Sequence, residues 1–84
     1  VRYVREGRNV VVMRTFSKIQ GLAALRIGYG LAPASLAGVL QKTRQPFNAN
    51  GIAQAGALAG LRDVDHMRRT RELTHEGRCY LEQE

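Results

Sequence analysis

The sequence predicts an α/β fold in which two short strands are followed by three helices. A continuous run of mostly β-branched residues, Asn9 to Met13 (NVVVM), is typical of a strand buried on both faces of a parallel sheet. A second segment, Leu25 to Ala32 (LRIGYGLA), alternates in polarity as a strand does. Because two strands alone do not make a stable sheet, we expect the chain to be an internal piece of a larger domain.

The segments beside the two strands predict turns and close approaches. Residues 1–8 (VRYVREGR) are polar and contain Gly7, so they should form the end of a helix followed by a turn. Arg14 to Gln20 should be a loop at the carboxyl end of the first strand, the edge at which open α/β sheets bind ligands. In the second strand, Gly28 and Gly30 would let another backbone or a ligand come close.

Three helices account for most of the remaining chain. Pro33 suits the first position of a helix, and Ala34 to Thr43 (ASLAGVLQKT) continues it. Asn50 should cap a helix that runs to about Leu61, whose alanines and glycines predict close packing against a neighbour. Asp63 should begin a last helix that reaches the end of the chain, with its carboxylate near the positive helix N-terminus.

The positive charge of the chain is concentrated in one block. The formal net charge is +6 at pH 7. Residues 7–62 contain seven lysines and arginines and no acidic residue, whereas residues 63–84 contain four arginines and six acidic residues. An acid-free block of this length predicts an anionic ligand, which could be a phosphate or a nucleic acid.

The composition also narrows the class of protein and its compartment. No apolar run approaches the roughly 20 residues that a membrane-spanning helix needs, so we expect no membrane partner. A single cysteine, Cys79, excludes an internal disulfide and fits a reducing compartment, which favours the cytoplasm. His66 and His75 have no cysteine or histidine at metal-binding spacing, so we expect helix-surface residues and no metal site.

The segment RTFSKIQGLAALRIGYG, from Arg14 to Gly30, combines residues that could bind such an anion. Thr15 and Ser17 share one side of an extended chain, and Arg26 can make bidentate hydrogen bonds to phosphate oxygens. Lys18 would most often be a plain surface charge, but beside a phosphate site its amine could form a Schiff base with an aldehyde. Neighbouring cations and partial desolvation favour the neutral amine that this reaction requires. A phosphorylated aldehyde that withdraws electrons is pyridoxal 5′-phosphate.

The same segment resembles the lysine segment of fold-type I pyridoxal-phosphate aminotransferases, whose pattern is Ser-Lys, a short spacer and then Gly-Leu-Ala-x-Leu-Arg-x-Gly-Tyr. A second segment, Thr43 to Leu61 (TRQPFNANGIAQAGALAGL), is similar to the one that follows it in histidinol-phosphate aminotransferases. The resemblance implies a fragment of the large domain of a fold-type I transferase. Residues 1–62 would be the lysine segment with the helices after it, and residues 63–84 would be a helix leading towards the small domain.

The resemblance also implies a role for each candidate site residue. Lys18 would be the catalytic Schiff-base lysine that binds pyridoxal 5′-phosphate, and Arg26 would bind the cofactor phosphate together with Ser17 and Thr15. The implied reaction is amino-group transfer between histidinol phosphate and 2-oxoglutarate in histidine biosynthesis, catalysed by a homodimer. A carboxylate upstream for the pyridine nitrogen and an arginine downstream for the substrate would complete the site.

Two kinds of alternative stay open. Related enzymes transaminate aromatic amino acids or decarboxylate threonine phosphate on the same scaffold, and the residues that separate them lie outside this chain. From another class, the positive charge and the helices near residues 34–43 and 50–61 could form a helix-turn-helix module that binds nucleic acid. The second of these helices is almost all Ala, Gly and Leu, whereas a recognition helix needs polar side chains facing base edges. We therefore expect small-molecule substrates and no nucleic-acid partner.

Overall fold

The computed structural model describes all 84 residues as a short helix, a two-stranded sheet and three longer helices. In chain order the elements are α1 (Arg2–Arg5), β1 (Val12–Thr15), β2 (Gly28–Leu31), α2 (Ala34–Thr43), α3 (Gly51–Arg62) and α4 (Val64–Gln83). A single 3₁₀ turn, Ala23–Leu25, lies between the two strands. The predicted helix end and turn near the start of the chain are confirmed by α1 and by Gly7, whose φ is +72°.

β1 and β2 form an antiparallel hairpin rather than part of a parallel sheet. Val12 lies opposite Leu31, and Thr15 lies opposite Gly28. Parallel neighbours need a long crossover, usually a helix, and the connecting residues 16–27 contain only the 3₁₀ turn. The prediction of a parallel strand buried on both faces is therefore wrong for β1, which is exposed along most of its length.

The strand boundaries differ from the predicted ones, and the end of β1 depends on one glycine. β1 includes Arg14 and Thr15, which the sequence assigns to a loop. A Cβ atom on Gly28 would lie 2.6 Å from the carbonyl oxygen of Arg14, so the strands can pair this far only because position 28 has no side chain. The predicted close approach is confirmed at Gly28 but not at Gly30, where a Cβ would make an ordinary contact. β2 is shorter than predicted because residues 23–27 form the 3₁₀ turn and its exit.

The three long helices confirm the predicted pattern. α2 has the predicted bounds, and α3 is capped by Asn50, whose Oδ1 accepts the backbone N–H of Ala53 at 2.7 Å. Asp63 caps α4 in the same way, since its Oδ1 accepts the backbone N–H of His66 at 3.0 Å. Pro33 lies one position before α2 with an extended ψ of 147°, so its predicted place as the first helical residue is wrong.

The small core lies where residues 16–27 pack against α3. Only three side chains are buried: Phe16, Ala53 and Ala57. The other elements are spread out, since the radius of gyration is 16.4 Å, against about 12 Å for a compact domain of this length. None of the helices is both long and apolar enough to span a lipid bilayer. The best-packed part of the molecule is therefore the segment that carries Lys18.

Candidate functional site

Residues 16–27, which connect β1 to β2 and carry Lys18, form what we call the lysine loop. The hairpin ladder continues into it by one hydrogen bond, from the N–H of Phe16 to the carbonyl of Ile27 at 3.3 Å. The N–H of Gly21 donates to the carbonyl of Lys18 at 2.9 Å and closes a tight turn. Gly21 has a φ of +69°, which glycine adopts without strain. The lysine is thus presented on a hydrogen-bonded turn.

Arg26 lies at the end of the lysine loop in a strained backbone conformation. Its φ of 52° is in the left-handed region, which costs a non-glycine residue about 1–2 kcal/mol. It ends the 3₁₀ turn, and its Nη1 donates to the carbonyl of Ala23 at 2.8 Å. Strained residues of this kind concentrate at functional sites, and Arg26 is one of two non-glycine residues with a positive φ, the other being the fully exposed Phe47. The sequence gives no signal for this conformation, since such positions normally hold glycine.

Thr15 and Ser17 are joined by a hydrogen bond rather than aligned on an extended strand. The N–H of Ser17 donates to Oγ1 of Thr15 at 3.0 Å, because the chain bends directly after β1. The predicted extended conformation is therefore wrong after Thr15, where the chain bends. Phe16 and Ile27 are joined by a backbone hydrogen bond. Ser17 follows the first of them in sequence and Arg26 precedes the second. The ladder thus brings Thr15, Ser17 and Arg26 to one end of the hairpin.

Lys18 is exposed and borders a groove of about 590 Å³ between the lysine loop and α4. The other residues that line this groove are Ile19, Thr70, Arg71, Thr74, His75 and Arg78. No carboxylate lines it, and Lys18 forms no ion pair. Arg26 is not among the lining residues. The structure therefore places Lys18 beside α4, in a groove that Arg26 does not line.

Sequence reasoning misses the α4 side of this groove, since it assigns His75 to the helix surface and gives no role to the other lining residues of α4. Its residues, at positions 70, 71, 74, 75 and 78, recur at the spacing of a single helix face. That spacing is the only local signal for the groove. The groove also requires that α4 lie beside the lysine loop. That arrangement depends on contacts between residues far apart in the chain, which the sequence does not reveal.

α3 supports the lysine loop with a face that has almost no side chains. The residues at helical spacing on this face are Ala53, Gly56, Ala57 and Gly60. A Cβ atom on Gly56 would lie 2.7 Å from Cδ1 of Leu25, and one on Gly60 would lie 3.4 Å from Cγ of Gln20. The predicted close packing of this helix is therefore confirmed, and its partner is the lysine loop.

α4 contacts the same loop through polar groups. Nε2 of His66 lies 3.0 Å from the carbonyl oxygen of Ile19, and Nε2 of Gln20 donates to Sδ of Met67 at 3.7 Å. His66 is half-buried, so its prediction as a helix-surface residue is wrong, whereas His75 is exposed as expected. The contact of His66 spans 47 residues of sequence, which no local pattern reveals. The structure contains no group of three His, Cys, Asp or Glu side chains that could hold a metal ion.

The packing of α3 disfavours the nucleic-acid alternative. Ala53 and Ala57 are buried, and the single amide side chain of the helix, Gln54, donates to the carbonyl of Ala49 at 3.2 Å. A recognition helix must present polar side chains to base edges. α3 instead presents small residues to its own chain.

Comparison with known proteins identifies the family of the chain. A family profile described as aminotransferase class I and II matches residues 2–84. A histidinol-phosphate aminotransferase of Akkermansia muciniphila is 55% identical over 99% of this chain and 23% of its own length. One from Moorella thermoacetica is 51% identical over 94% of the chain and 21% of its own length. The histidinol-phosphate aminotransferase 2 of Ralstonia nicotianae is 48% identical over 99% of the chain and 22% of its own length.

The chain spans about a fifth of the length of these curated relatives. No solved structure matches it. The family profile covers the lysine loop and every helix and strand described above. The chain therefore belongs to the aminotransferase class I and II family.

Proposed function

We propose that the chain is the lysine-bearing segment of a pyridoxal-phosphate-dependent aminotransferase. The reaction is amino-group exchange between histidinol phosphate and 2-oxoglutarate in histidine biosynthesis. Membership of the family and the names of its relatives support this assignment. The observation that carries it is the lysine loop itself, in which Lys18 is exposed on a turn that contacts both α3 and α4.

The residues of the lysine loop fit a cofactor that joins an aldehyde to a phosphate. Arg26 uses one donor for the carbonyl of Ala23, which leaves its other N–H groups available for an anion. Oγ1 of Thr15 accepts a hydrogen bond from the N–H of Ser17, so its own hydroxyl hydrogen is still available to donate. No acidic residue occurs between positions 7 and 62, so no carboxylate of the loop competes for these donors.

The four candidate site residues have two roles in the proposed reaction. When bound, pyridoxal 5′-phosphate supplies the electron sink that chemistry at an amino-bearing carbon requires. Lys18 attaches the cofactor through its amine, and the same amine, once free, moves a proton at the substrate α-carbon. Arg26, Ser17 and Thr15 bind the phosphate, which orients the cofactor relative to the lysine.

In this proposal the chain is part of a larger, homodimeric enzyme of the cytoplasm. Residues 1–62 belong to its large domain, and residues 63–84 lead towards its small domain. A carboxylate that binds the pyridine nitrogen and an arginine that binds the substrate come from other segments. The alternatives within the family are transamination of aromatic amino acids and decarboxylation of threonine phosphate. The names of the relatives favour histidinol phosphate over both.

The point of cofactor attachment tests the proposal directly. The full-length enzyme is incubated with pyridoxal 5′-phosphate, reduced with borohydride and digested, and the labelled peptide is identified by mass spectrometry. The chain contains only two lysines, Lys18 and Lys42, so Lys42→Ala is a matched control for Lys18→Ala. We expect the label on Lys18, and a loss of turnover of at least about 10²-fold in Lys18→Ala alone.

Two results would contradict the proposal. A label on Lys42, or turnover by Lys18→Ala close to that of the wild type, would remove Lys18 from the reaction. Rates with histidinol phosphate, phenylalanine and threonine phosphate as separate substrates then test the substrate assignment. A preference for phenylalanine, or carbon dioxide release from threonine phosphate, would overturn that part and leave the attachment site unaffected.

A further inference from the structure

His66, in the first turn of α4, is fixed in place at three points. Its backbone N–H donates to Oδ1 of Asp63 at 3.0 Å. Its carbonyl accepts a hydrogen bond from Oγ1 of Thr70 at 2.8 Å. Its ring Nε2 lies 3.0 Å from the carbonyl oxygen of Ile19. The residue is half-buried, and the ring contact with Ile19 fixes the direction of the imidazole.

The carbonyl that His66 contacts belongs to the turn that carries Lys18. The hydrogen bond from the N–H of Gly21 to the carbonyl of Lys18 defines this turn, and Ile19 and Gln20 are its two central residues. The carbonyl of Ile19 receives no backbone hydrogen bond outside the regular elements, so the imidazole is the group that satisfies it. The second central residue, Gln20, contacts Met67, the residue that follows His66. Two consecutive residues of α4 therefore contact the two central residues of the turn.

We propose that His66 is a positioning residue for Lys18, acting through a hydrogen bond from Nε2–H to the carbonyl of Ile19. The inference rests on the proposed function of Lys18 as the reactive amine. A carbonyl oxygen only accepts, so the imidazole must carry a hydrogen on Nε2. Both the neutral Nε2–H tautomer and the imidazolium ion satisfy this requirement. The bond reduces the number of conformations of the turn, and with it the number of directions in which the lysine amine projects.

The chemistry of the contact predicts which side chains can replace His66. Glutamine carries an amide NH₂ at a similar distance from its backbone and can donate to the same carbonyl. Leucine fills a similar volume and cannot donate. Arg69 lies on an exposed part of the same helix, makes no ion pair and does not line the groove of Lys18. Arg69→Leu therefore controls for adding a leucine to α4.

The test is amide hydrogen exchange in the cofactor-free, full-length protein, followed by mass spectrometry of peptides that cover the lysine loop. His66→Leu should accelerate exchange in residues 18–22 roughly fivefold, the effect of losing one hydrogen bond. His66→Gln and Arg69→Leu should exchange at the wild-type rate. Unchanged exchange in His66→Leu, or equal acceleration in His66→Gln, would overturn the proposal.

A second measurement needs no variant and so does not depend on whether His66→Leu folds. Long-range ¹H–¹⁵N correlation spectra of ¹⁵N-histidine-labelled protein identify which ring nitrogen carries the hydrogen. We expect a hydrogen on Nε2 of His66. A neutral ring protonated on Nδ1 would place a lone pair against the carbonyl oxygen and would end the proposal.

Turnover of the cofactor-loaded enzyme tests whether the conformation of the turn affects the rate of the reaction. It should fall several-fold in His66→Leu and recover in His66→Gln, in the same order as hydrogen exchange. Full turnover in His66→Leu, despite a loosened turn, would remove His66 from the positioning of Lys18. The exchange and NMR measurements use protein without cofactor, so a failure of the proposed chemistry of Lys18 in the borohydride experiment would not change their outcome.

Discussion

Helices α3 and α4 contact the same lysine loop with opposite kinds of surface. α3 approaches through alanine and glycine, and the fit depends on the absence of side-chain atoms at Gly56 and Gly60. α4 approaches through His66 and Met67, and that contact depends on the ring nitrogen of His66 and the thioether sulfur of Met67. The first contact is therefore lost when atoms are added, and the second is lost when the donor at His66 is removed.

This difference separates two properties of the loop. Steric contact with α3 limits how far Leu25 and its neighbours can move, but it has no directional preference. A hydrogen bond from α4 depends on angle as well as distance, so it can orient the turn at Ile19. We infer that α3 contributes mainly to the stability of the loop and α4 mainly to its orientation.

Adding atoms to α3 should have the largest effect on stability. Leucine at position 56 would overlap the side chain of Leu25, so Gly56→Leu should lower the free energy of unfolding by about 2 kcal/mol, as overpacking typically does. The midpoint of denaturant unfolding of the full-length protein measures the change, provided that the slope m is unaltered.

A matched glycine on another helix serves as the control for that change. Gly38, in α2, has no atom within 4 Å of its Cβ direction. Gly38→Leu should therefore raise the free energy of unfolding by about 0.5–1 kcal/mol, because leucine has the higher helix propensity. Equal effects of the two substitutions would show that α3 does not pack closely on the lysine loop.

Removing the two helix caps should have an intermediate effect on stability, and only one of the two changes should reach the lysine loop. Asn50→Ala and Asp63→Ala each delete an acceptor for a backbone N–H and should each lower stability by about 1 kcal/mol. Only Asp63→Ala releases the turn of α4 that contains His66. We therefore expect faster amide exchange in residues 18–22 for Asp63→Ala alone, with Asp63→Asn as a control that keeps the acceptor.

Replacing Gln20 should have the smallest effect, and of the opposite sign. Its Oε1 is buried and has no hydrogen-bond partner. Gln20→Met keeps the shape of the side chain and removes both this oxygen and the weak hydrogen bond from Nε2 to Sδ of Met67. Because an unpaired buried acceptor costs more than a bond to sulfur contributes, stability should be unchanged or should rise by up to about 1 kcal/mol. Thermal unfolding of the full-length protein measures the difference, and a clear loss of stability would show that the amide has a role beyond packing.

The helices could be predicted from the sequence because their signals are local. Asn50 and Asp63 are capping residues that mark the helix starts. The small residues of α3 predict close packing, although they do not identify the partner. The strands are harder to predict, because a run such as NVVVM indicates β-structure but does not determine which strand it pairs with or in which direction. The antiparallel pairing follows from the short connection between the strands, and the extension of β1 to Thr15 depends on the missing side chain of Gly28.

The candidate site shows the same division between local and distant information. Lys18, Arg26, Ser17 and Thr15 stand within one short segment, so their proximity in sequence suggests a shared site. The contribution of His66 depends on a contact with Ile19, far away in the chain, and the left-handed conformation of Arg26 has no sequence signature. Both features belong to the tertiary structure, and a linear pattern does not contain them.

At Arg26, the residue type that would best suit the backbone conformation differs from the one that the proposed phosphate site requires. Glycine would relax the left-handed φ of 52° and, at an otherwise equal site, would lower the energy of the native state. It would also delete the guanidinium that we assign to the phosphate. Variants selected only for heat resistance would therefore tend to accumulate glycine at this position, while variants selected for turnover would retain the arginine and its conformational cost.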